Sequence, residues 1–114
     1  MIRSVLEVKD YLDRFMAKTQ IWGIVFINRE KNLTAMTQLS ITPAQRTEII
    51  NSLTTTDYVE TMAPMAPEMP EAWVFGKQFD SVELYIKVSM GYPNSNTICI
   101  SLHIAEYPIN YAFK

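Results

Sequence analysis

The sequence contains few of the residues on which metal and cofactor chemistry depends. It has one cysteine, Cys99, one histidine, His103, and three glycines in 114 residues. A single cysteine and a single histidine cannot assemble a zinc site. Three separated glycines form no phosphate-binding loop, and no serine lies in a nucleophile elbow. We therefore expect neither a metal nor a cofactor, and the nucleotide-dependent and hydrolase classes have little support.

Long hydrophobic runs are also absent. The longest apolar runs, such as residues 24–27, are far shorter than a membrane span. Charged residues interrupt the N-terminal segment, which argues against a secretory signal. One cysteine cannot form an internal disulfide, so we expect a cytoplasmic protein with no membrane partner. The length, together with a hydrophobic content of 48%, predicts a single folded domain over residues 1–114.

The chain has a small negative charge that is unevenly distributed. Its formal net charge is −2 and its pI is about 5.3, which argues against binding of nucleic acid by bulk charge. Residues 1–46 contain seven basic and four acidic side chains, whereas residues 47–114 contain three lysines and eight acidic side chains. An anionic ligand would therefore meet the N-terminal half or one of the few lysines that follow it.

Two capping boxes predict helices in the first half of the chain. Ser4 and Glu7 can satisfy free amides at a helix start, and an apolar stripe at helical spacing continues this helix to about residue 18. The Thr-Pro-Ala-Gln segment at residues 42–45 marks a second helix start. Between these two, a short helix is expected over residues 32–39, with its first residue as the N-cap.

Three further segments of the first half carry weaker patterns. Residues 21–27 are β-branched and aromatic, which predicts a buried strand, with a longer first helix as the alternative. Residues 56–62 are expected to form one more helical turn. Residues 63–70 contain three prolines and predict a loop.

The second half of the chain changes to the pattern of strands. Residues 72–79, 82–90 and 97–104 predict three strands, joined by a tight connection at residues 80–81 and a longer turn at residues 91–96. Helices followed by a strand meander are typical of an α+β domain. We therefore expect N-terminal helices packed on one face of a small antiparallel sheet.

Alternation along the last two strands gathers polar side chains on one face and aliphatic side chains on the other. The aliphatic face is the expected core. The polar face is expected to hold Glu83, Tyr85 and Lys87 from one strand, Cys99, Ser101 and His103 from the next, and Lys77 as a further candidate.

A phosphodiester site is the functional interpretation of this polar face. Histidine changes its protonation near neutral pH and suits acid–base catalysis, and lysine offsets charge that develops on a phosphoryl group. The plain alternative is a solvent-facing sheet surface, which is polar for that reason alone. Lys77, Tyr85 and His103 are the candidate catalytic residues, and Lys87 and Ser101 are the candidate substrate-binding residues.

At these residues the sequence resembles the MqsR family, toxins of type II toxin–antitoxin systems. The resemblance covers most of the chain and is carried by short motifs. They are Asp57-Tyr58 through Met62, Ala72-Trp73, the Val-Glu-Leu-Tyr-Ile-Lys-Val run at residues 82–88, and Ile100-Ser101-Leu102.

The resemblance implies a RelE-like microbial ribonuclease fold and metal-free cleavage of mRNA, in which the ribose 2′-hydroxyl attacks the adjacent phosphate. It also implies a small antitoxin protein as the partner. The family's catalytic tyrosine corresponds to Tyr85, and a lysine of the family corresponds to His103. Two family positions differ here, since Glu60 replaces a lysine and Val74 replaces a glutamine. Lys77 is the nearest replacement for the missing positive charge.

The sequence therefore predicts a toxin that cleaves RNA, with His103 as general acid or base and Tyr85 positioning or exchanging a proton. The alternative is a catalytically degenerate toxin-fold domain that only binds a protein partner, favoured by Glu60 and Val74. A third interpretation is a small structural or oligomerising domain.

Overall fold

The first helix is longer than the sequence predicts. In the computed structural model, which describes residues 1–64 and 66–114, helix α1 spans Val5–Trp22. The capping box is present, because Glu7 N donates to Ser4 Oγ at 3.2 Å and Ser4 N donates to Glu7 Oε1 at 3.0 Å. Gly23, at φ 81°, ends the helix. The buried strand expected over residues 21–27 is correct only in part: Ile24–Phe26 forms strand β1, which is not fully buried, while Ile21 and Trp22 belong to a longer first helix, the alternative prediction.

Two short helices and one strand complete the first half. Helix α2 spans Glu30–Leu39, and helix α3 spans Pro43–Asn51 behind the predicted capping box. The helical turn expected over residues 56–62 is wrong beyond its start. A 3₁₀ turn ends at Asp57, and Tyr58–Met62 forms strand β2, which pairs antiparallel with β3, Ala72–Phe79. The predicted loop at 63–70 includes Met65, which lies outside the described residues.

The three strands predicted in the second half are confirmed. They are β3 and then β4, Val82–Ser89, and β5, Thr97–Ile104. The strand order is β1-β5-β4-β3-β2, and β1 runs parallel to β5 while the other pairs are antiparallel. The α+β class is thus confirmed, but the sheet is mixed rather than purely antiparallel.

The helices cover one face of this sheet. Val8, Phe15 and Ile50 from the helices pack with Phe75 and Ile86 from the strands in the main core cluster. Burial of such apolar surface is the main favourable contribution to folding. The opposite face of the sheet carries the polar side chains.

Cys99 does not lie on that polar face, contrary to the sequence prediction. The β4–β5 register shifts between Lys87 and Val88, so that Ser101 is paired with Lys87 but Cys99 with Val88. Such a bulge reverses the alternation on one side of it. Cys99 is consequently 1% exposed within the core cluster, and burial raises the pKa of its thiol to about 12. It is a packing residue.

The Asn32 side chain links α2 to β5 by hydrogen bonds. These bonds lie on the edge of β5 that β1 leaves unpaired after its last residue. The Asn32 amide nitrogen donates to Ile27 O at 2.9 Å and to Ile100 O at 3.1 Å, and its side-chain oxygen accepts from Leu102 N at 3.0 Å. This side chain lies inside α2 and is buried, so it is not the N-cap that the sequence predicts. It provides the hydrogen bonds that a longer β1 would otherwise supply.

The segment after β5 turns back across the polar face of the sheet. Ala105 N donates to Glu83 O at 2.9 Å, and Ala112 N donates to Tyr58 O at 3.0 Å on the far side. The segment passes directly over Gly76, where a Cβ atom would lie 2.7 Å from Tyr111 Oη. A glycine is required there because no larger residue leaves room for the crossing.

Gly76→Ala should therefore lower the free energy of unfolding by about 1–3 kcal/mol, as overpacking does in other proteins. Urea denaturation measures the change. In a Tyr111→Ala background the same substitution should be less destabilising, because one of the two colliding side chains is gone. Equal losses in both backgrounds would contradict this account.

Candidate active site

Two cross-strand pairs form the floor of the polar face. Tyr85 on β4 lies opposite His103 on β5, and Lys87 lies opposite Ser101. Glu60 on β2 lies on the same face and in line with Lys87 across the strands. Glu60 pairs with Val74 on β3, and Val74 pairs with Lys87 on β4. Directly paired residues project to the same face, so these side chains converge above the sheet.

A cleft of about 610 Å³ opens over these residues. Its volume falls within the range of small-molecule and cofactor sites, about 300–1,000 Å³. Four of the five predicted site residues line it, and the segment after β5 forms one wall. The cleft residues with polar or charged side chains that bear on function are Arg29, Lys31, Glu60, Tyr85, Lys87, Ser101, His103 and Glu106.

Lys77 is the predicted site residue that the structure does not bring to the cleft. It pairs with Leu84, a core residue, and so projects to the helix side of the sheet. Its ammonium group donates to Asp57 Oδ2 at 3.0 Å and to Ser52 O at 3.0 Å. Asp57 is buried, so this ion pair has a structural role and the placement of Lys77 on the polar face is wrong.

Arg29 and Lys31 enter the cleft from the start of α2, and sequence reasoning did not single them out. Arg29 Nη1 donates to Ser101 Oγ at 3.2 Å, which turns the guanidinium group over the sheet. Lys31 forms an ion pair with Glu106 at the rim. The only sequence signal for these two residues is the excess of basic side chains in the N-terminal half. Strand alternation could not identify them, because they lie at the start of a helix.

The rings of Tyr85 and His103 stack, with centroids 5.3 Å apart and planes inclined by 18°. His103 Nδ1 lies 3.0 Å from Ile104 O. A carbonyl oxygen only accepts, so this hydrogen bond requires a proton on Nδ1, and in the neutral imidazole Nε2 is then an acceptor.

The cleft shifts two titrating groups in opposite directions. Burial raises the pKa of Tyr85, the negative charge of Glu60 adds to the shift, and Arg29 opposes it. Burial lowers the pKa of Lys87, the positive charge of Arg29 adds to that shift, and Glu60 opposes it. Tyr85 consequently keeps its proton at neutral pH, while Lys87 loses its charge more readily than an exposed lysine.

Among the described residues, no group of three or more His, Cys, Asp or Glu side chains is arranged to hold a metal ion. Within the same residues, α1 and the shorter helices lack the length and hydrophobicity needed to cross a bilayer. Comparisons with protein families, with curated proteins and with solved structures find no match for this chain. The resemblance to MqsR toxins stays a prediction.

Proposed function

We propose that this protein is a metal-independent endoribonuclease, the cytoplasmic toxin of a type II toxin–antitoxin pair, and that the cleft is its active site. One observation carries the proposal: Arg29, Lys87, Tyr85 and His103 line a single cleft, with His103 Nε2 left as an acceptor. Fixed cations beside a proton acceptor are what cleavage of a phosphodiester by its own ribose requires.

Each step of the reaction has a residue to perform it. Arg29 and Lys87 bind the scissile phosphate, and the buried Ser101 hydroxyl holds Arg29 in place. Nε2 of His103 takes the proton of the 2′-hydroxyl as the 2′-oxygen bonds to phosphorus. The bond from phosphorus to the 5′-oxygen breaks, and that basic oxygen takes the proton of Tyr85. The products are a 2′,3′-cyclic phosphate and a 5′-hydroxyl end.

The acidic C-terminal half of the chain does not oppose RNA binding as strongly as its composition indicates. Three of its carboxylates are paired with cations: Glu71 with Arg3, Asp57 with Lys77 and Glu106 with Lys31. Two of these cations come from the basic N-terminal half. The excess charges of the two halves therefore partly cancel in space, while Arg29 and Lys87 stay directed into the cleft.

The direct test is incubation of the purified protein with end-labelled single-stranded RNA in the presence of EDTA. We expect cleavage to continue in EDTA and to leave 2′,3′-cyclic phosphate ends, because no step requires a metal. Expression of the protein alone in cells should arrest growth. RNA that stays intact together with normal growth would refute the proposal.

Loss of either cleft cation should weaken RNA binding by about 10- to 100-fold, the range expected for one hydrogen bond to a charged group. Arg29→Ala and Lys87→Ala are the test variants, and fluorescence anisotropy with an uncleavable 2′-O-methyl RNA is the measurement. Arg14→Ala and Lys9→Ala are matched controls, because both side chains lie exposed on α1 away from the cleft. Equal losses in tests and controls would indicate bulk attraction only.

Lys87 should also give the affinity a pH dependence. Its lowered pKa means that, as pH rises, its positive charge is lost before that of an exposed lysine. RNA affinity should therefore fall on the alkaline side, and Lys87→Arg should retain it, since arginine stays charged. Identical alkaline profiles for the two proteins would exclude Lys87 from phosphate binding.

A second candidate function is that of a non-catalytic, protein-binding domain on the same cleft. Glu60 favours this function, because its carboxylate lines the cleft in line with Lys87 across the strands and would repel a phosphate. Glu60→Gln distinguishes the two functions. It should strengthen RNA binding if the cleft binds RNA, and should weaken recovery of a co-expressed antitoxin if the cleft binds that protein instead.

A further inference from the structure

We infer that a second pocket, adjoining the cleft at His103, is a nucleobase subsite in which Thr34 and Gln38 bind the edge of the base. The inference rests on the proposed function and extends it, since it makes single-stranded RNA the substrate class and locates a determinant of sequence preference. Thr34 and Gln38 belong neither to the motifs shared with the toxin family nor to the polar face predicted from strand alternation.

The second pocket lies between the outer face of α2 and the end of β5. Its volume is about 390 Å³, and it shares Lys31, His103 and Glu106 with the cleft. His103 therefore stands where the two cavities meet. With the scissile phosphate held by Arg29 and Lys87 beside His103, one neighbouring nucleotide would lie in the cleft and the other in the second pocket.

The lining of the second pocket suits a flat, polar-edged ligand. The partly exposed Ile104 provides apolar surface, while Thr34 and Gln38 lie one helical turn apart on one side of α2. Both polar side chains are exposed. A hydroxyl and a carboxamide each donate and accept hydrogen bonds, as a base edge does, and glutamine pairs with adenine in this way.

A duplex cannot use both cavities. In an A-form duplex the base edge that glutamine reads lies in a deep, narrow groove that side chains do not reach, so a base that contacts Thr34 and Gln38 must be unpaired. Proteins that read RNA by sequence bind unpaired bases for this reason. The Lys31–Glu106 ion pair lies at the junction, and both of its side chains are solvent-exposed, so an entering strand can displace it.

The test uses two uncleavable ligands, a nucleoside 3′-phosphate and a 2′-O-methyl dinucleotide, titrated into isotope-labelled protein. Amide NMR signals report both cavities, and the Gln38 carboxamide reports the second pocket directly. We expect the mononucleotide to shift signals of the cleft alone and the dinucleotide to shift signals of both. The double variant Thr34→Ala/Gln38→Ala should bind the dinucleotide about 3- to 30-fold more weakly and the mononucleotide equally well.

Thr37→Ala/Gln20→Ala is the matched control, because both residues are exposed on helices and neither lines the pocket. It should leave both affinities unchanged. If the dinucleotide shifts only cleft signals, the subsite is refuted while the proposed ribonuclease stands. If neither ligand shifts any signal, both proposals fail. As an independent check of the subsite, cleavage sites mapped on a random RNA should show that the test variant, unlike the control, has lost base preference on one side of the cut.

Discussion

His103→Ala should reduce the rate of RNA cleavage by about 100- to 10,000-fold while leaving RNA binding within a factor of a few. The range is that of a positioned proton-transfer group. The loss is expected in the rate because the proposed function assigns phosphate binding to Arg29 and Lys87 and proton transfer to the imidazole. Single-turnover cleavage measures the chemical step, and anisotropy measures binding.

Because His103 also stacks on Tyr85, its removal changes packing as well as chemistry. His103→Phe separates these effects, since phenylalanine preserves an aromatic ring beside Tyr85 but exchanges no proton. This variant should be as inactive as His103→Ala. Circular dichroism checks that both variants fold. Cleavage by His103→Phe at the wild-type rate would show that the ring has only a packing role.

Asn32→Leu should lower the free energy of unfolding by about 3 kcal/mol. Leucine resembles asparagine in size, but the change leaves Ile100 O and Leu102 N without a hydrogen-bond partner, whereas Ile27 O still accepts from Arg29 N. Each unsatisfied buried group costs about 1–3 kcal/mol, and the strand edge admits some water, which reduces the sum. Urea denaturation followed by circular dichroism measures the loss.

Asn51→Leu is the control for this substitution, since Asn51 is exposed at the end of α3 and its replacement should alter stability by less than about 0.5 kcal/mol. If Asn32→Leu lowers the free energy of unfolding no more than Asn51→Leu does, the hydrogen bonds of Asn32 do not stabilise the contact between α2 and β5. The Asn32 variant should also cleave RNA more slowly, because Arg29 immediately precedes α2 and depends on its position.

The parts of the fold with local sequence signals were predictable. The capping boxes located the starts of α1 and α3, and turn residues bounded β3, β4 and β5. β1 was predicted too long and β2 was missed, for two different reasons. The apolar run at residues 21–27 is divided by Gly23, whose positive φ is a backbone property, so that the part before it is helical and only the part after it forms β1. β2 is a strand because it pairs with β3, which no local pattern records.

The site residues could be predicted only where polar and apolar side chains alternate regularly along a strand. Tyr85, Lys87, Ser101 and His103 were placed together because β4 and the end of β5 alternate strictly. Lys77 was misplaced because β3 is apolar on both faces, so only its pairing with β4 reveals which side Lys77 takes. Cys99 was misplaced because the register shift near Val88 leaves no mark in the sequence.

β5 lies in the interior of the sheet, between β1 and β4, and this position has a consequence during synthesis. Thr97 Oγ1 donates a hydrogen bond to Gly23 O beside β1, and these two residues are 74 positions apart in the sequence. A domain generally folds as a unit, and contacts between distant segments cannot form until both segments have been made. A growing chain therefore has Arg29 and Lys31 but no cleft until residues 97–104 emerge. On the proposed function, a ribosome-bound chain would accordingly be unable to cleave the message that encodes it.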